Sequence, residues 1–322
     1  MSLSVHDRQG LVWAYQLAPP QPLGTESLAI TERGAPTWLH FNLTDARARR
    51  WLGTQARLSD AALAVLLDPQ PRVRVQLLPE GFVAILTDLH HDFRGDPEGF
   101  GELRLFVEKD RVISGRRHPL KTIDVVRRHL EQGVPMESPG VWLEQLITCL
   151  AHSFGELTEE LVDQVDEIED EVVGGNGKEQ RSTLANIRRL LVRFRRHLHA
   201  NRVALAKLPT RVHDGGEASA RLRSAIERLD GVAQDLDLVH ERVRLLQDEL
   251  AGLLAEASSR NLYVLSIMTT VLLPTTVVTG LWGMNVGGLP WADDPRGFLW
   301  VGLVVLGSVI LSLLLLRGSR VL

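Results

Sequence analysis

The 322-residue chain is 44% hydrophobic and 24% charged with a formal net charge of −4, values that suit a soluble acidic protein until the apolar residues are located along it. Its single cysteine, Cys149, excludes an internal disulfide framework and a multi-thiolate metal centre, so metal chemistry would have to use oxygen or imidazole ligands. Without a broad basic excess, nucleic acid is not an expected partner, and Cys149 itself reads as a small buried apolar residue.

The first ten residues lack an apolar stretch of signal-peptide length, so residues 1–260 are expected to stay in the cytoplasm. Short apolar or alternating runs at residues 11–17, 36–43, 73–78, 81–89, 103–107 and 111–114 predict strands. Helical patterns fall at 45–58, 60–67 and 119–132, with Thr44 and Ser59 as expected N-caps. A mixed α/β domain over residues 1–135 follows. It holds no HExxH pair, GxSxG elbow, dinucleotide-binding glycine pattern or thiolate zinc motif, so neither an enzyme nor a resident cofactor is expected. His90, His91 and Asp92 close a strand, where adjacent side chains point to opposite faces, and read as a polar turn rather than a metal site. His197 and His199 have an unfavourable two-residue helical spacing among arginines.

Residues 136–260 read as a long helical region. A helix over 141–173 carries Glu156, Glu159, Glu160, Asp163, Asp166, Glu167, Glu169, Asp170 and Glu171 with no Lys or Arg, and the turn at 174–177 reverses the chain. The following helix, 178–208, carries Arg181, Arg188, Arg189, Arg193, Arg195, Arg196 and Arg202 against only Glu179. An antiparallel hairpin would set these charges side by side, either as ordinary surface pairs or as an electrostatic device near a pore mouth. Next, Leu222, Ala225, Leu229, Val232, Leu236, Val239, Val243, Leu246, Leu250, Leu253 and Ala257 alternate three- and four-residue steps, the seam of a coiled-coil-like helix. That helix runs on from residue 217 to 280, roughly 95 Å at 1.5 Å per residue, and offers either a mechanical link or a rigid oligomerisation stalk.

Residues 261–322 form the membrane part. No charged residue or His occurs over 261–292, and 298–316 is a second uncharged run; each is long enough for a hydrocarbon core of about 30 Å. Arg260, Arg317 and Arg320 flank the spans on one side, whereas the connecting segment carries Asp293, Asp294 and only Arg296, which places both termini in the cytoplasm and the loop 283–297 outside. Trp282, Trp291 and Trp300 mark the outer interface. Two spans cannot enclose water alone, so a pore requires several copies around it. Ser259, Leu262, Ser266, Thr269, Leu273, Thr276, Gly280 and Gly283 recur on one face of the first span, which suits either a pore lining or close helix packing. The second span, with only Ser308 and Ser312 polar, would form an outer ring in lipid. Pro274 is expected to loosen a turn, with nearby threonine hydroxyls answering the freed carbonyl.

The first span ends in Gly280-Leu281-Trp282-Gly283-Met284-Asn285, followed by Val286-Gly287-Gly288-Leu289-Pro290. With Arg104-Leu105-Phe106-Val107 and Arg111-Val112-Ile113-Ser114 upstream, this motif at the exit of the first of two C-terminal spans resembles the CorA superfamily of divalent-cation transporters, and within it the zinc-transporting ZntB branch. The resemblance implies an α+β cytoplasmic domain, long helices and a two-helix membrane hairpin in a funnel-shaped homopentamer. It further implies an axial pore lined by the first span, with Gly283, Met284 and Asn285 as the selectivity filter. Asn285 would meet the hydrated ion through neutral amide oxygens. Ser266, Thr269, Thr276 and Gly280 would line its route, Leu262 and Leu273 would form apolar constrictions, and Asp293 and Asp294 would attract cations. Magnesium-transporting relatives often carry an acidic residue shortly after the motif, where Val286, Gly287 and Gly288 stand here; this favours zinc as cargo over magnesium or cobalt. Neither span contains Asp, Glu or His, so a proton relay through the bilayer has no carrier. The alternative from another class is a non-conducting, membrane-anchored coiled-coil sensor.

Overall fold

The computed structural model describes residues 10–24, 35–93, 98–174, 177–208, 217–284, 288–291 and 294–318. The chain divides into two compact units, Met1–Gln247 and Asp248–Leu322. In order, the elements are β1 (Leu11–Leu17), β2 (Pro20–Pro22), β3 (Thr37–Asn42), α1 (Ala46–Thr54), α2 (Asp60–Leu66), β4 (Arg74–Leu78), β5 (Gly81–Leu89), β6 (Phe100–Glu108), β7 (Arg111–Arg116), α3 (Lys121–Glu131), α4 (Pro139–Val173), α5 (Gly177–Leu205), α6 (Glu217–Trp282) and α7 (Gly297–Gly318).

The seven strands form one sheet in the order β2-β1-β3-β7-β6-β5-β4, antiparallel throughout except for the β3–β7 pair. Its central strands are buried on both faces, which is why they read as continuous apolar runs rather than alternating ones. On β5, Val83 and Ile85 join Ala48, Trp51, Leu52 and Val65 of α1 and α2, while Phe82, Ala84 and Leu86 join the larger core with α3, α4 and α5. Strand β2 lacks an apolar pattern; prolines fit there because it lies at the sheet edge, where a missing N–H costs no ladder bond. Ser59 caps α2 as expected, its hydroxyl accepting from Ala62 N at 3.2 Å. The cap of α1 is Asp45 rather than Thr44: Asp45 accepts from Arg47 N at 2.8 Å, while Thr44 donates its N–H and hydroxyl back to Asn42 Oδ1.

Helices α4 and α5 pack on the sheet and on each other. Seam residues Leu222, Ala225, Leu229, Leu236, Val239, Val243 and Leu246 of α6 are buried in the same core as Leu161 and Ile168 of α4 and Leu191 and Phe194 of α5. That stretch of the heptad pattern is thus filled by this chain's own helices. The charges pair differently from the hairpin expectation. Arg195 reaches Asp237 at 2.6 Å, Arg202 pairs with Asp230, and Arg242 reaches Asp166 and Glu169 at 2.6 and 2.7 Å, so α6 takes partners from the basic and the acidic helix alike. The physical reason is geometric: α6 is the third helix of the bundle, and its polar positions flank the seam that both others cover.

One polar side chain locks α5 to the sheet. Asn201 is fully buried; its Oδ1 accepts from Thr87 N at 2.9 Å and its Nδ2 donates to Thr87 O at 2.8 Å, serving as a strand partner beyond the end of β4. Replacing it leaves a buried backbone N–H and C=O unanswered, at about 1–3 kcal/mol each. Asn201→Leu should therefore destabilise the protein by about 2–5 kcal/mol in denaturant unfolding; a loss below about 1 kcal/mol would contradict this account.

Candidate transmembrane path

Helix α6 continues without interruption through Trp282, and among the described residues α6 and α7 are the two helices long and apolar enough to cross a membrane. On α6 every residue of the small and hydroxyl-bearing stripe, Ser259, Leu262, Ser266, Thr269, Leu273, Thr276, Gly280 and Gly283, is exposed, with Leu262 at 62% and Leu273 at 61%. The partly covered residues from 261 onward, Tyr263, Ile267, Thr270, Val271, Pro274, Thr275, Val278 and Trp282, recur on a different face. On α7 the partly covered or buried positions through residue 314 are Gly297, Val301, Val305, Ser308, Val309 and Ser312, so its two serines stand on its covered side. Within the Asp248–Leu322 unit, packing does not consume the stripe.

The threonines of this helix turn their protons inward. Thr269 Oγ1 donates to Leu265 O at 2.9 Å and Thr276 Oγ1 to Leu272 O at 2.8 Å; Thr270, Thr275 and Thr279 do the same one turn back. A hydroxyl whose hydrogen is held by its own backbone presents oxygen lone pairs outward. Thr269 and Thr276 are thereby acceptors, the polarity a passing cation requires. Sequence reasoning identified the hydroxyls but not their direction, although threonine inside a helix is itself the signal for back-bonding. The expectation for Pro274 is corrected: the threonine hydroxyls bond the carbonyls of Leu265, Ser266, Val271, Leu272, Thr275 and Thr276, not the Thr270 carbonyl that Pro274 leaves without its donor.

At the end of α6 the Gly283 N–H still reaches Thr279 O at 2.9 Å, and Met284 N reaches Leu281 O at 3.4 Å as the helix tightens and stops. A Cβ at Gly283 would lie 3.0 Å from Thr279 O, so glycine suits the tight exit. Asn285, Val286, Gly287 and Asp293 lie outside the described residues. Trp282 Nε1 donates to Pro290 O at 3.2 Å, fastening the connecting segment to the helix, and the Trp291 and Trp300 rings stack with centroids 6.3 Å apart. Asp294 shapes the turn before α7, with its Oδ1 accepting from Arg296 N at 2.7 Å and its carbonyl accepting from Gly297 N at 2.8 Å. One of its two carboxylate oxygens is consequently directed into that turn.

The remaining sequence candidates lie elsewhere and do not assemble. His90, His91 and Asp92 form a turn in which His91 Nδ1 lies 3.1 Å from Asp124 Oδ2 and the His90 ring stands 5.2 Å from that of His118. His197 stacks on Phe100, and burial with Arg196 and Arg193 beside it lowers its pKa to about 4, whereas His199 is exposed. Among the described residues no three His, Cys, Asp or Glu side chains gather as a metal site. Cys149 is 5% exposed and burial raises its thiol to about 11, an unreactive packing residue.

Residues 34–317 match the family model described as CorA-like Mg2+ transporter protein. The chain is 31% identical over 301 residues to the zinc transport protein ZntB of Pectobacterium atrosepticum, covering 90% of this chain and 89% of that one. It is 30% identical over 315 residues to the divalent cation transporter CmaX of Pseudomonas aeruginosa, covering 94% of each. A solved structure of full-length CmaX superposes with a TM-score of 0.84 at 28% identity, covering 98% of this chain and 99% of that one. An α+β domain, a long helix running into an apolar span, a second apolar helix and these likenesses over nearly the whole length lead to one conclusion: the chain belongs to the CorA-like family of divalent-cation transporters and is a transport protein, not an enzyme.

Proposed function

We propose that the protein moves zinc across the inner or plasma membrane through the axis of a funnel-shaped homopentamer. Residues 1–135 and 136–260 form its cytoplasmic α+β domain and helical stalk, and residues 261–322 its pore. The observation that carries this reading is the exposed, acceptor-presenting stripe of α6, which only neighbouring copies can convert into an enclosed wet path. In the pentamer Thr269 and Thr276 line that path, Leu273 and Leu262 narrow it, and Gly283, Met284 and Asn285 form its outer filter. Asp293 and Asp294 enrich cations at the entrance, α7 faces lipid, and both termini lie in the cytoplasm. The likeness to a zinc transport protein at 31% identity supports zinc as the cargo.

A second cargo has its own support. The donors along the path are all hard oxygen atoms, and such a set suits magnesium at least as well as zinc, which normally prefers nitrogen or sulfur ligands. Competitive uptake of zinc, magnesium and cobalt into liposomes holding the purified protein decides between them. In the same assay Asn285→Ala is expected to lower zinc flux at least about tenfold, the loss of about 1.4 kcal/mol of barrier stabilisation, or to abolish discrimination among the three ions. Wild-type flux and selectivity in that variant would remove Asn285 from the filter. Absence of both a fivefold particle and any metal flux would instead establish a non-conducting anchored sensor.

A further inference from the structure

The bundle of α4, α5 and α6 carries unlike charges on its two flanks. Arg195 and Arg202 of α5 pair with Asp237 and Asp230 of α6, which sets these helices antiparallel. Along their junction lies a cleft of about 420 Å³ whose lining combines Val192, Ala233 and Leu236 with Arg195, Arg196 and Arg202. Arg196 is exposed and, among the described residues, has no ion-pair partner. On the other flank, Glu159, Asp163, Asp166 and Asp170 of α4 recur at four-, three- and four-residue steps and share one exposed face. Arg242 of α6 reaches Asp166 at 2.6 Å, which places that face on the α6 side of α4. Among the described residues Glu159, Asp163 and Asp170 have no ion-pair partner, and α4 holds no Lys or Arg to supply one.

Helix α6 separates the two flanks. Asp237 and Arg242, its links to α5 and α4, are five residues apart, about 140° around the helix. On the outward arc between them stand Leu238, 67% exposed, and Leu245, 60% exposed, one heptad apart. An apolar strip between flanks of opposite charge is how helical assemblies select partner and register. A two-fold contact sets one patch against itself and would leave either the basic or the acidic flank bare. A head-to-tail contact joins the basic flank of one copy to the acidic flank of the next and closes into a ring.

The helix registers suit that contact. Arg242 beside Asp166, and Gly155, where a Cβ would lie 3.8 Å from Val232 Cγ2, set α4 parallel to α6. Carried across α6, these pairings put Arg196 at the level of the α4 stretch between Glu159 and Asp163. Rotation about an axis parallel to the helices preserves that level, so Arg196 of one copy meets the carboxylates of the next. We propose that the α5–α6 cleft is a docking surface for a second copy of this chain, and that the α4 face carrying Glu159, Asp163 and Asp170 is the part that covers it. The inference rests on the ring of copies proposed above and adds which two surfaces close it.

The test co-expresses two full-length populations with different affinity tags, one Arg196→Cys and the other Asp163→Cys, and treats them with a short bis-maleimide. Cys149 is 5% exposed, so the engineered thiols are the reactive pair. Linked dimers bearing both tags are expected to exceed same-tag dimers at least about tenfold, because a head-to-tail contact brings unlike positions together. Light scattering on the unmodified protein is read alongside. A multimer without mixed-tag links overturns this docking and leaves the ring standing, whereas a monomer removes both. Same-tag links in equal yield also overturn it, since they mark a two-fold contact. Charge reversal gives a second reading at positions exposed in the single chain. Arg196→Asp and Asp163→Arg should each weaken assembly on dilution about tenfold or more, and the two changes together should restore it. Single variants that assemble like the unmodified protein overturn the proposal.

Discussion

Leu273→Ser is expected to raise basal divalent-cation flux by about tenfold or more in reconstituted vesicles, equivalent to lowering the barrier by about 1.4 kcal/mol. Leu273 is 61% exposed on the stripe, one residue before Pro274 and between the acceptor-bearing Thr269 and Thr276. In a pentamer its side chain recurs five times around the axis, and a ring of leucines excludes water by dewetting. A hydroxyl at that position hydrates the constriction while keeping a small side chain. If the stripe faced lipid instead, the same change would place one hydroxyl in acyl chains, where it bonds back to its own helix, and flux would not change. Stopped-flow uptake with an entrapped metal indicator separates these outcomes. The effect is a gain, so it cannot be mistaken for misfolding.

Asp88→Asn is expected to remove a fall in stability that the wild-type protein shows between about pH 4 and pH 7. Asp88, the penultimate residue of β5, is fully buried and accepts from Leu89 N at 2.7 Å, Thr122 N at 3.1 Å and Thr122 Oγ1 at 2.6 Å. It thereby caps α3, whose own N-cap residue, Leu120, has no side chain able to do so. Burial nevertheless outweighs these bonds and raises its pKa from 3.8 to about 7. Between those values the native state keeps a proton that the unfolded chain releases, so stability falls as pH rises, by about 4 kcal/mol in all at about 1.36 kcal/mol per pH unit. His197 works in the opposite sense: lowered to about 4, it makes the fold lose stability as pH drops below 6.5. The informative quantity is therefore the difference between wild-type and Asp88→Asn unfolding free energies across pH 4 to 8. Parallel curves would refute the assignment.

The elements legible in the sequence were those whose apolar spacing is set by local geometry. The helix predicted at 141–173 is Pro139–Val173, and its two extra residues are explained by Ser138 as N-cap, accepting from Val141 N at 3.3 Å, with proline in the first turn. The second apolar run, predicted at 298–316, is Gly297–Gly318, because lipid-length hydropathy needs no tertiary context. What stayed hidden depends on distant partners. Nothing local distinguishes Asp88, Asn201 or Arg104 from surface residues, yet Arg104 is 1% exposed and donates to Leu66 O at 2.7 Å, tying β6 to the end of α2. The partner choice of Arg242 was equally invisible, since it required knowing that a third helix lies against the acidic one. For the candidate path, the period of the stripe is legible in the sequence, whereas the direction of its hydroxyl hydrogens follows from rotamers that only coordinates reveal.

Those inward-turned hydrogens carry a consequence for how a conduit built on this helix would behave. A wall that offers oxygen but no ionisable group discriminates by sign through dipoles alone, so its preference for cations over anions should hold from mildly acidic to alkaline solution. Any acidity response of the intact transporter would then originate outside that wall, and the buried Asp88 and part-buried His197 are two groups able to supply it.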